Sequence, residues 1–352
     1  MSTKDNIVLN SSDLQRFVAE LLIAAGFDPG QAQTTATVLV WADLRGHASH
    51  GVMRLPRYLE WAKDGTIDKS AKPIVVRRKS AIVTLDARRT IGAAALSAAA
   101  EEAVHTARET GIGWVLVKDH THAGALGYFA RLVTDAGLMA VAMVASRPLM
   151  AYYGTRDAAI STNPLAIGLP GGMLFDMSTA AIAKGKISAA KAAGRNLPLG
   201  VACDETGEIT TDPARAVTIL PLGGQKGAGL SAMIEGLTSL ALANPLIATA
   251  LTSDVEAKDF RQNALIVAID PSAILDDADV AAGVADFSST LKSQPRAAGF
   301  DEILMPGERG DREAARRTRD GLPVASATWK ELTALAAKLG VSVPAPGGAG
   351  PQ

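Results

Sequence analysis

Fourteen consecutive residues, Arg45-Gly46-His47-Ala48-Ser49-His50-Gly51-Val52-Met53-Arg54-Leu55-Pro56-Arg57-Tyr58, carry two imidazoles, a hydroxyl, three guanidiniums and a phenol. The chain has five histidines, and two more of them, His120 and His122, form a second cluster; only His105 stands apart, on a helical face. Imidazole titrates nearest neutrality, so paired clusters suggest proton transfer or metal ligation. Ligation fits less well, because no acidic residue lies at ligand spacing from His47 and His50, and the lone Cys203 is remote. No metal is therefore expected. A single histidine at a helix–loop junction more often pins the junction than works. The Ser49-His50 pair, followed at short range by Arg54 and Tyr58, shifts the balance towards chemistry.

Two helices must flank this stretch. Ser11 or Ser12 can cap one that carries Leu14, Phe17, Val18, Leu21 and Leu22 and stops at Gly26. Asp28-Pro29 opens a second, running to Leu44. A third, over Leu55 to Lys63, brings Arg54, Tyr58 and Trp61 within one or two turns of each other. Beyond Pro73 the pattern turns β-branched, with strands at Ile74-Val75-Val76 and Ala81 to Leu85, then a small-residue helix over Thr90 to Thr110. The buried strand Gly113 to Val117 leads through Lys118 to Ala123 into a helix over Gly124 to Ala136, and a polar turn from strand to helix is a common ligand position. Further strands are expected at Leu138 to Ala145, at Leu165 to Leu169 paired with Leu174 to Met177, and at Asn263 to Asp270. Ser178-Thr179 should cap a helix, and residues 188 to 200 should form a loop. A hairpin should join residues 201–204 to 208–211.

Gly223-Gly224-Gln225-Lys226-Gly227-Ala228-Gly229 opens a helix expected to reach Ala243. It is not a P-loop, since Lys226 lies inside the glycine run with no Ser or Thr behind it. No G-x-G-x-x-G follows the first strand, which removes a Rossmann reading. Spacing leaves a phosphate-binding loop and a plain tight turn both open. Pro306-Gly307-Glu308-Arg309-Gly310-Asp311-Arg312 reads as a polar turn, and Arg309 and Arg312 suit phosphate or a solvated charged surface.

The charge balance, 35 basic against 36 acidic residues, gives no basic excess for nucleic acid or an anionic membrane surface. One cysteine precludes an internal disulfide, no apolar run approaches bilayer length, and the polar start Met1-Ser2-Thr3-Lys4 has no signal-like core. A cytoplasmic protein is expected. At 352 residues more than one compact unit is expected.

The run His47-Ala48-Ser49-His50-Gly51 with Arg54 and Tyr58, together with His122-Ala123-Gly124-Ala125-Leu126, Asp176-Met177-Ser178, Gln225-Lys226 and Pro306 to Arg312, resembles the malate/L-lactate dehydrogenase type 2 family over roughly residues 10 to 320. That family includes malate, sulfolactate, ureidoglycolate and 2,3-diketogulonate dehydrogenases and cyclic-imine 2-carboxylate reductases. The resemblance implies NAD or NADP bound without a Rossmann fold, and a homodimer. It implies His50 or His122 as proton carrier with Ser49 beside the first, and Arg54 as a bidentate clamp on a carboxylate next to the reacting carbon. Tyr58 and Thr162 would add substrate contacts. Cofactor contacts would come from His122, Gly124, Ala125, Leu126, Ser146, Asp176, Met177, Ser178, Gln225, Lys226, Gly307, Glu308, Arg309 and Arg312. Two departures bear on substrate. Arg147 replaces the Asp of ureidoglycolate dehydrogenase and suits a second anionic group, and Lys186 replaces the catalytic Asp of the imine reductases, which favours 2-hydroxy acid chemistry.

The expected fold is α/β, a non-Rossmann NAD(P)-binding fold with a helical N-terminal lobe and a large mixed sheet. Residues 1–72 would form the lobe that carries the catalytic loop, 73–245 the cofactor and central sheet region, 246–343 a mixed segment packing back on it, and 344–352 a disordered tail. The expected activity is NAD(P)-dependent hydride transfer to or from a small, dianionic 2-hydroxy/2-oxo acid. The alternatives are cyclic-imine reduction and, further off, a non-catalytic binding protein.

Overall fold

The computed structural model describes residues 6–252, 260–275 and 279–347. Strand β1 (Asn6–Leu9) leads into helix α1 (Ser11–Ala24), whose cap is Asn10 and not the serines after it: its side-chain oxygen accepts from the Ser12 N–H at 2.9 Å. Helix α2 (Pro29–Leu44) starts where expected, with Asp28 accepting from Gly30 N–H at 3.0 Å. Two single 3-10 turns, Ala48–His50 and Val52–Arg54, then lead to α3 (Leu55–Lys63).

Strands β2 (Ile74–Lys79) and β3 (Ile82–Asp86), helix α4 (Gly92–Thr110), β4 (Ile112–His120), α5 (Gly127–Asp135) and β5 (Met139–Ala145) follow. Next come β6 (Met150–Ala151), β7 (Ala158–Ile160), β8 (Leu165–Leu169), β9 (Met173–Met177), α6 (Lys184–Ala192), β10 (Ala202–Cys203), β11 (Thr218–Ile219) and α7 (Gln225–Glu235). The chain closes with α8 (Leu246–Thr252), β12 (Gln262–Ile269), α9 (Val280–Lys292), α10 (Glu308–Asp320), β13 (Leu322–Ala325) and α11 (Ser326–Leu339).

A seven-stranded mixed sheet in the order β2-β3-β4-β12-β5-β8-β9 is the core of the molecule; β3 and β4 are its parallel pair and the other neighbours are antiparallel. The alanine-rich face of α4 and the apolar face of α5 cover one side, burying Leu96, Phe129, Val115, Val117 and Ile266. Small residues let the helices lie close to the strands. Helices α1 to α3 share a second core with α11, β1 and β13, around Phe17, Leu39, Tyr58 and Leu332. Strand β1 pairs with β13, so the first and last strands of the chain meet.

Register positions the site. Gln262 pairs with His120 and Asn263 with Ala145, so the end of β4, the end of β5 and the start of β12 coincide. The residues just outside these ends, Thr121-His122, Ser146-Arg147 and Phe260-Arg261, therefore converge.

Several local expectations change. Ser178-Thr179 cap no helix: the next one starts at Lys184 behind Ala183, because Thr179 N–H is taken by the Thr162 carbonyl at 3.0 Å. The hairpin at 201–211 shrinks to a bridge between Cys203 and Ile209, since β10 pairs with β11 instead. Helix α7 passes at Gly236 into a π-helical turn ending at Leu240. Residues 308–312, read as a turn, form the first turn of α10. In the tail expected to be disordered, Gly347 N–H bonds Val8 carbonyl at 3.1 Å, and residues 348–352 lie outside the described part. Among the described residues no helix is long and apolar enough to cross a membrane.

Candidate active site

A cavity of about 450 Å³ opens where the N-terminal turns meet the end of the large sheet. Ser49, His50, Arg54, Arg57 and Trp61 form one wall; His122, Ser146, Arg147 and Thr162 form the sheet side; Ser178, Lys184 and Phe260-Arg261-Gln262 close it. Sequence elements some two hundred residues apart thus share one space.

The two imidazoles face each other. His50 and His122 have ring centroids 5.8 Å apart with planes at 18°. Ser49 Oγ lies 3.0 Å from Nδ1 of His50. His122 Nδ1 meets the Tyr58 hydroxyl at 2.7 Å and receives the Gly124 N–H at 3.3 Å. The residues on either side of it are pinned: Gly92 N–H at the start of α4 donates to Thr121 Oγ1 at 3.2 Å, and Ala123 N–H donates to the Gln262 side chain at 3.1 Å. A Cβ on Gly92 would overlap the Thr121 and His122 carbonyl oxygens, so glycine is required by this close approach.

Burial, with the Arg54 and His47 charges, lowers the pKa of His50 to about 4. Burial, Arg54 and His50 hold His122 well below the usual imidazole range. Both rings are neutral at neutral pH and able to accept a proton. Tyr58 is pushed upward by burial and stays a phenol.

Arg54 projects from its 3-10 turn into the cavity, with Nε donating to the Ser49 carbonyl at 2.6 Å. That bond fixes the fork beside His50. Arg147 stacks on Phe260, its guanidinium carbon 4.2 Å from the ring centroid. Arg261 is drawn to Asp119 at 3.1 Å.

Three of the expected site residues lie off the cavity wall. Tyr58 is 2% exposed and does not line the cavity; the imidazole of His122 takes up its hydroxyl. Lys186 is exposed on α6 and off the wall, because the helix turns it away and brings Lys184 to that wall instead. Glu308 is engaged with Lys292 and accepts the Met305 N–H at 3.1 Å, which makes it a structural carboxylate at the start of α10. Of the other clustered histidines, His120 is fully buried, with Nδ1 2.6 Å from the Thr121 carbonyl oxygen, and His47 lies off the cavity.

Hydrogen bonds tie together several segments of the second expected group. Gly127 N–H donates to Asp176 Oδ2 at 2.7 Å, which joins the start of α5, with Gly124, Ala125 and Leu126, to the end of β9. Ala125 and Leu126 turn their side chains into the core and leave only backbone for a ligand. Met177 ends β9 and Ser178 reaches the cavity. Leu222 N–H bonds the Thr179 carbonyl at 2.9 Å, placing Gln225 and Lys226 at the start of α7 beside it. Leu174 N–H bonds the Pro306 carbonyl at 3.0 Å, and Arg45 donates to the Gly307 carbonyl at 3.0 Å. Arg309 and Arg312 then line a second, arginine-rich cavity of about 510 Å³ with Arg45, Arg316 and Arg317. Arg312 is paired with Glu302 at 2.6 Å. Among the described residues no cluster of three or more His, Cys, Asp or Glu forms a metal site.

Sequence reasoning missed Trp61, Lys184, Phe260, Arg261 and Gln262. Helix spacing places Trp61 beside Arg54 but gives it no role, α6 brings Lys184, and the register of β12 brings Phe260, Arg261 and Gln262, which nothing in their local pattern marks.

Residues 9–333 match the malate/L-lactate dehydrogenase family. The chain is 30% identical over 347 residues to the malate/(S)-sulfolactate dehydrogenase of Methanothermus fervidus, covering 96% of this chain and 99% of that one. The structure of sulfolactate dehydrogenase from Methanocaldococcus jannaschii superposes with a TM-score of 0.86 at 30% identity, covering 95% and 98% of the two chains. Malate dehydrogenase from Entamoeba histolytica, 24% identical, has the same fold with a TM-score of 0.90 over 96% and 99%. The mixed α/β fold, the clustered histidine and arginine residues and the match over nearly the whole length agree: the chain belongs to the malate/L-lactate dehydrogenase family.

Proposed function

We propose that the protein interconverts a small 2-hydroxy acid and its 2-oxo acid with NAD or NADP, and that the acid is dianionic, as malate and sulfolactate are. The observation that carries this is the single cavity in which Arg54 stands beside two neutral imidazoles while Arg147, Arg261 and Lys184 line the remaining wall.

The residues present fit a dinucleotide. Backbone N–H groups at the start of α5 and the buried Thr179 hydroxyl, which has no partner, offer it polar contacts. We assign His122, Gly124, Ala125, Leu126, Ser146, Asp176, Met177, Ser178, Gln225, Lys226, Gly307, Arg309 and Arg312 to holding it. The nicotinamide supplies or accepts the hydride. The sheet order differs from a doubly wound one, and we infer binding without the Rossmann device.

Arg54 receives the carboxylate on its fork and orients the reacting carbon. In the oxidative direction a neutral imidazole, that of His50 or of His122, takes the hydroxyl proton. Ser49 steadies His50, and Thr162 and Ser146 offer hydroxyls on the sheet side. We further propose that residues 1–72 act as a lobe lending the loop to the sheet region 73–245, with 246–343 packed back on it, and that the protein is a cytoplasmic homodimer.

The test is reduction of pyruvate, oxaloacetate, sulfopyruvate, 2,3-diketogulonate and a piperideine carboxylate with NADH and with NADPH, followed by absorbance. Turnover of oxaloacetate or sulfopyruvate, lost in Arg54→Ala, is expected. Turnover of the imine alone would replace this reading with imine reduction.

A further inference from the structure

The reacting side chains sit on two short 3-10 turns, which by themselves have few internal hydrogen bonds to hold them. A buried carboxylate lies directly beneath. Asp43, one residue before the end of α2, is 5% exposed and does not line the cavity. Its Oδ2 accepts the Val52 N–H at 2.7 Å, in the middle of the stretch from His50 to Arg54. The same carboxylate is packed flat against Gly51, where an added Cβ would overlap it. Gly51 has φ −92° and ψ −157°, a conformation any residue adopts, so glycine is required there for space and not for backbone freedom. From the other side, Arg317 of α10 donates to the Asp43 carbonyl at 2.6 Å and is itself held by Glu313 at 2.5 Å. The end of α2 is thereby clamped, and the carboxylate faces the turn from a fixed base.

We infer that Asp43 is the positioning residue that sets His50 and Arg54 relative to each other, acting through the Val52 N–H and the bare Gly51 without touching substrate. The inference rests on the function proposed for the cavity, but its mechanical part is independent of it. The buried carboxyl can accept the Val52 N–H whether ionised or protonated, and this bond ties the middle of a two-turn segment that holds a guanidinium and an imidazole. Displacement of such groups by about 1 Å can cost on the order of 100-fold in rate.

The experiment compares the full-length parent with Asp43→Ala, Asp43→Asn and Gly51→Ala, measuring kcat and KM for whichever acid the parent reduces. Hydrogen exchange over residues 47–55 and binding of NADH and NADPH by fluorescence are followed alongside. Asp43→Ala is expected to lower kcat/KM by about 100-fold and to speed exchange at Val52, with nucleotide affinity changed by less than about threefold. Asp43→Asn, whose amide oxygen can still accept from Val52, should recover about tenfold of that loss, and Gly51→Ala should reproduce the Asp43→Ala pattern while keeping the carboxylate. A parent-like kcat/KM with Val52 still protected in Asp43→Ala overturns the inference. Should that variant not fold, the same result in Gly51→Ala overturns it. If the parent reduces no acid, the proposed function fails while exchange at Val52 still decides the role of Asp43.

Discussion

The Tyr58 hydroxyl lies 2.7 Å from Nδ1 of His122, so a buried phenol supports the ring nitrogen opposite the one left for substrate. Nδ1 also accepts the Gly124 N–H, so the phenol donates to it without ionising and the neutral ring carries its proton on Nε2. Tyr58→Phe removes that partner and little volume. Its kcat should fall about 10- to 100-fold with KM nearly unchanged, and the acid limb of the rate profile should move. Unchanged kcat would show that His122 works without Tyr58, or does not carry the proton.

The low pKa of His50, about 4, sets a pH signature. Its depressed value keeps the ring neutral through the whole neutral range, and kcat/KM reports the free enzyme. Oxidation of the hydroxy acid should therefore hold level down to about pH 5 and decline only as pH approaches 4, not near the ordinary imidazole value. A decline centred near 6.5 would place the proton on a more solvated group. Comparing His50→Ala with His122→Ala then identifies which ring supplies the limb.

Arg54 and the pair Arg147 and Arg261 make separable demands. Arg54→Ala should lower kcat/KM for every acid by roughly 10- to 150-fold, the equivalent of a charged hydrogen-bond pair worth about 1.5–3 kcal/mol. Arg147→Ala and Arg261→Ala should penalise oxaloacetate and sulfopyruvate while sparing pyruvate, which lacks the second anion. Equal loss across all three acids would assign these arginines to cofactor or to packing.

Asp43 predicts a stability trend. Burial raises its carboxyl to about 7 against opposing pulls from the Val52 N–H and Arg317. The folded pKa lies above the unfolded one, so its contribution is fully present below about pH 4 and is lost as pH rises through about 7. Relative to Asp43→Asn, the parent should lose stability between about pH 4 and 7 by up to a few kcal/mol, read from denaturant midpoints. A constant difference across that range would mean that the carboxyl ionises as if in water.

Much of the site was legible because its elements carry local signals. Asp28-Pro29 marks the start of α2, the alternating strands mark the sheet, and His47 to Arg54 concentrates groups that have no use in a simple connector. Arg54, His50 and His122 do share one cavity. Phe260 and Arg261 were not legible, since what brings them there is the pairing of Gln262 with His120 across 142 positions. Tyr58 was assigned to substrate because sequence shows proximity to Arg54 but not burial beneath His122. Lys186 stands out in the sequence by its match to the Asp of the imine reductases, whereas Lys184 reaches the wall, since residues two apart on a helix point in different directions.

Strand β12 lies between β4 and β5, although more than 140 positions separate its start from the end of β4. The two earlier strands cannot be neighbours in a finished sheet, and must hold a gap for a segment synthesised much later. Contacts of such long sequence separation slow folding, because chain entropy is lost before they form. His122, Ser146 and Arg261 can acquire their common wall only at that late step. Appearance of activity during refolding should thus follow insertion of β12, and lag behind formation of α4 and α5.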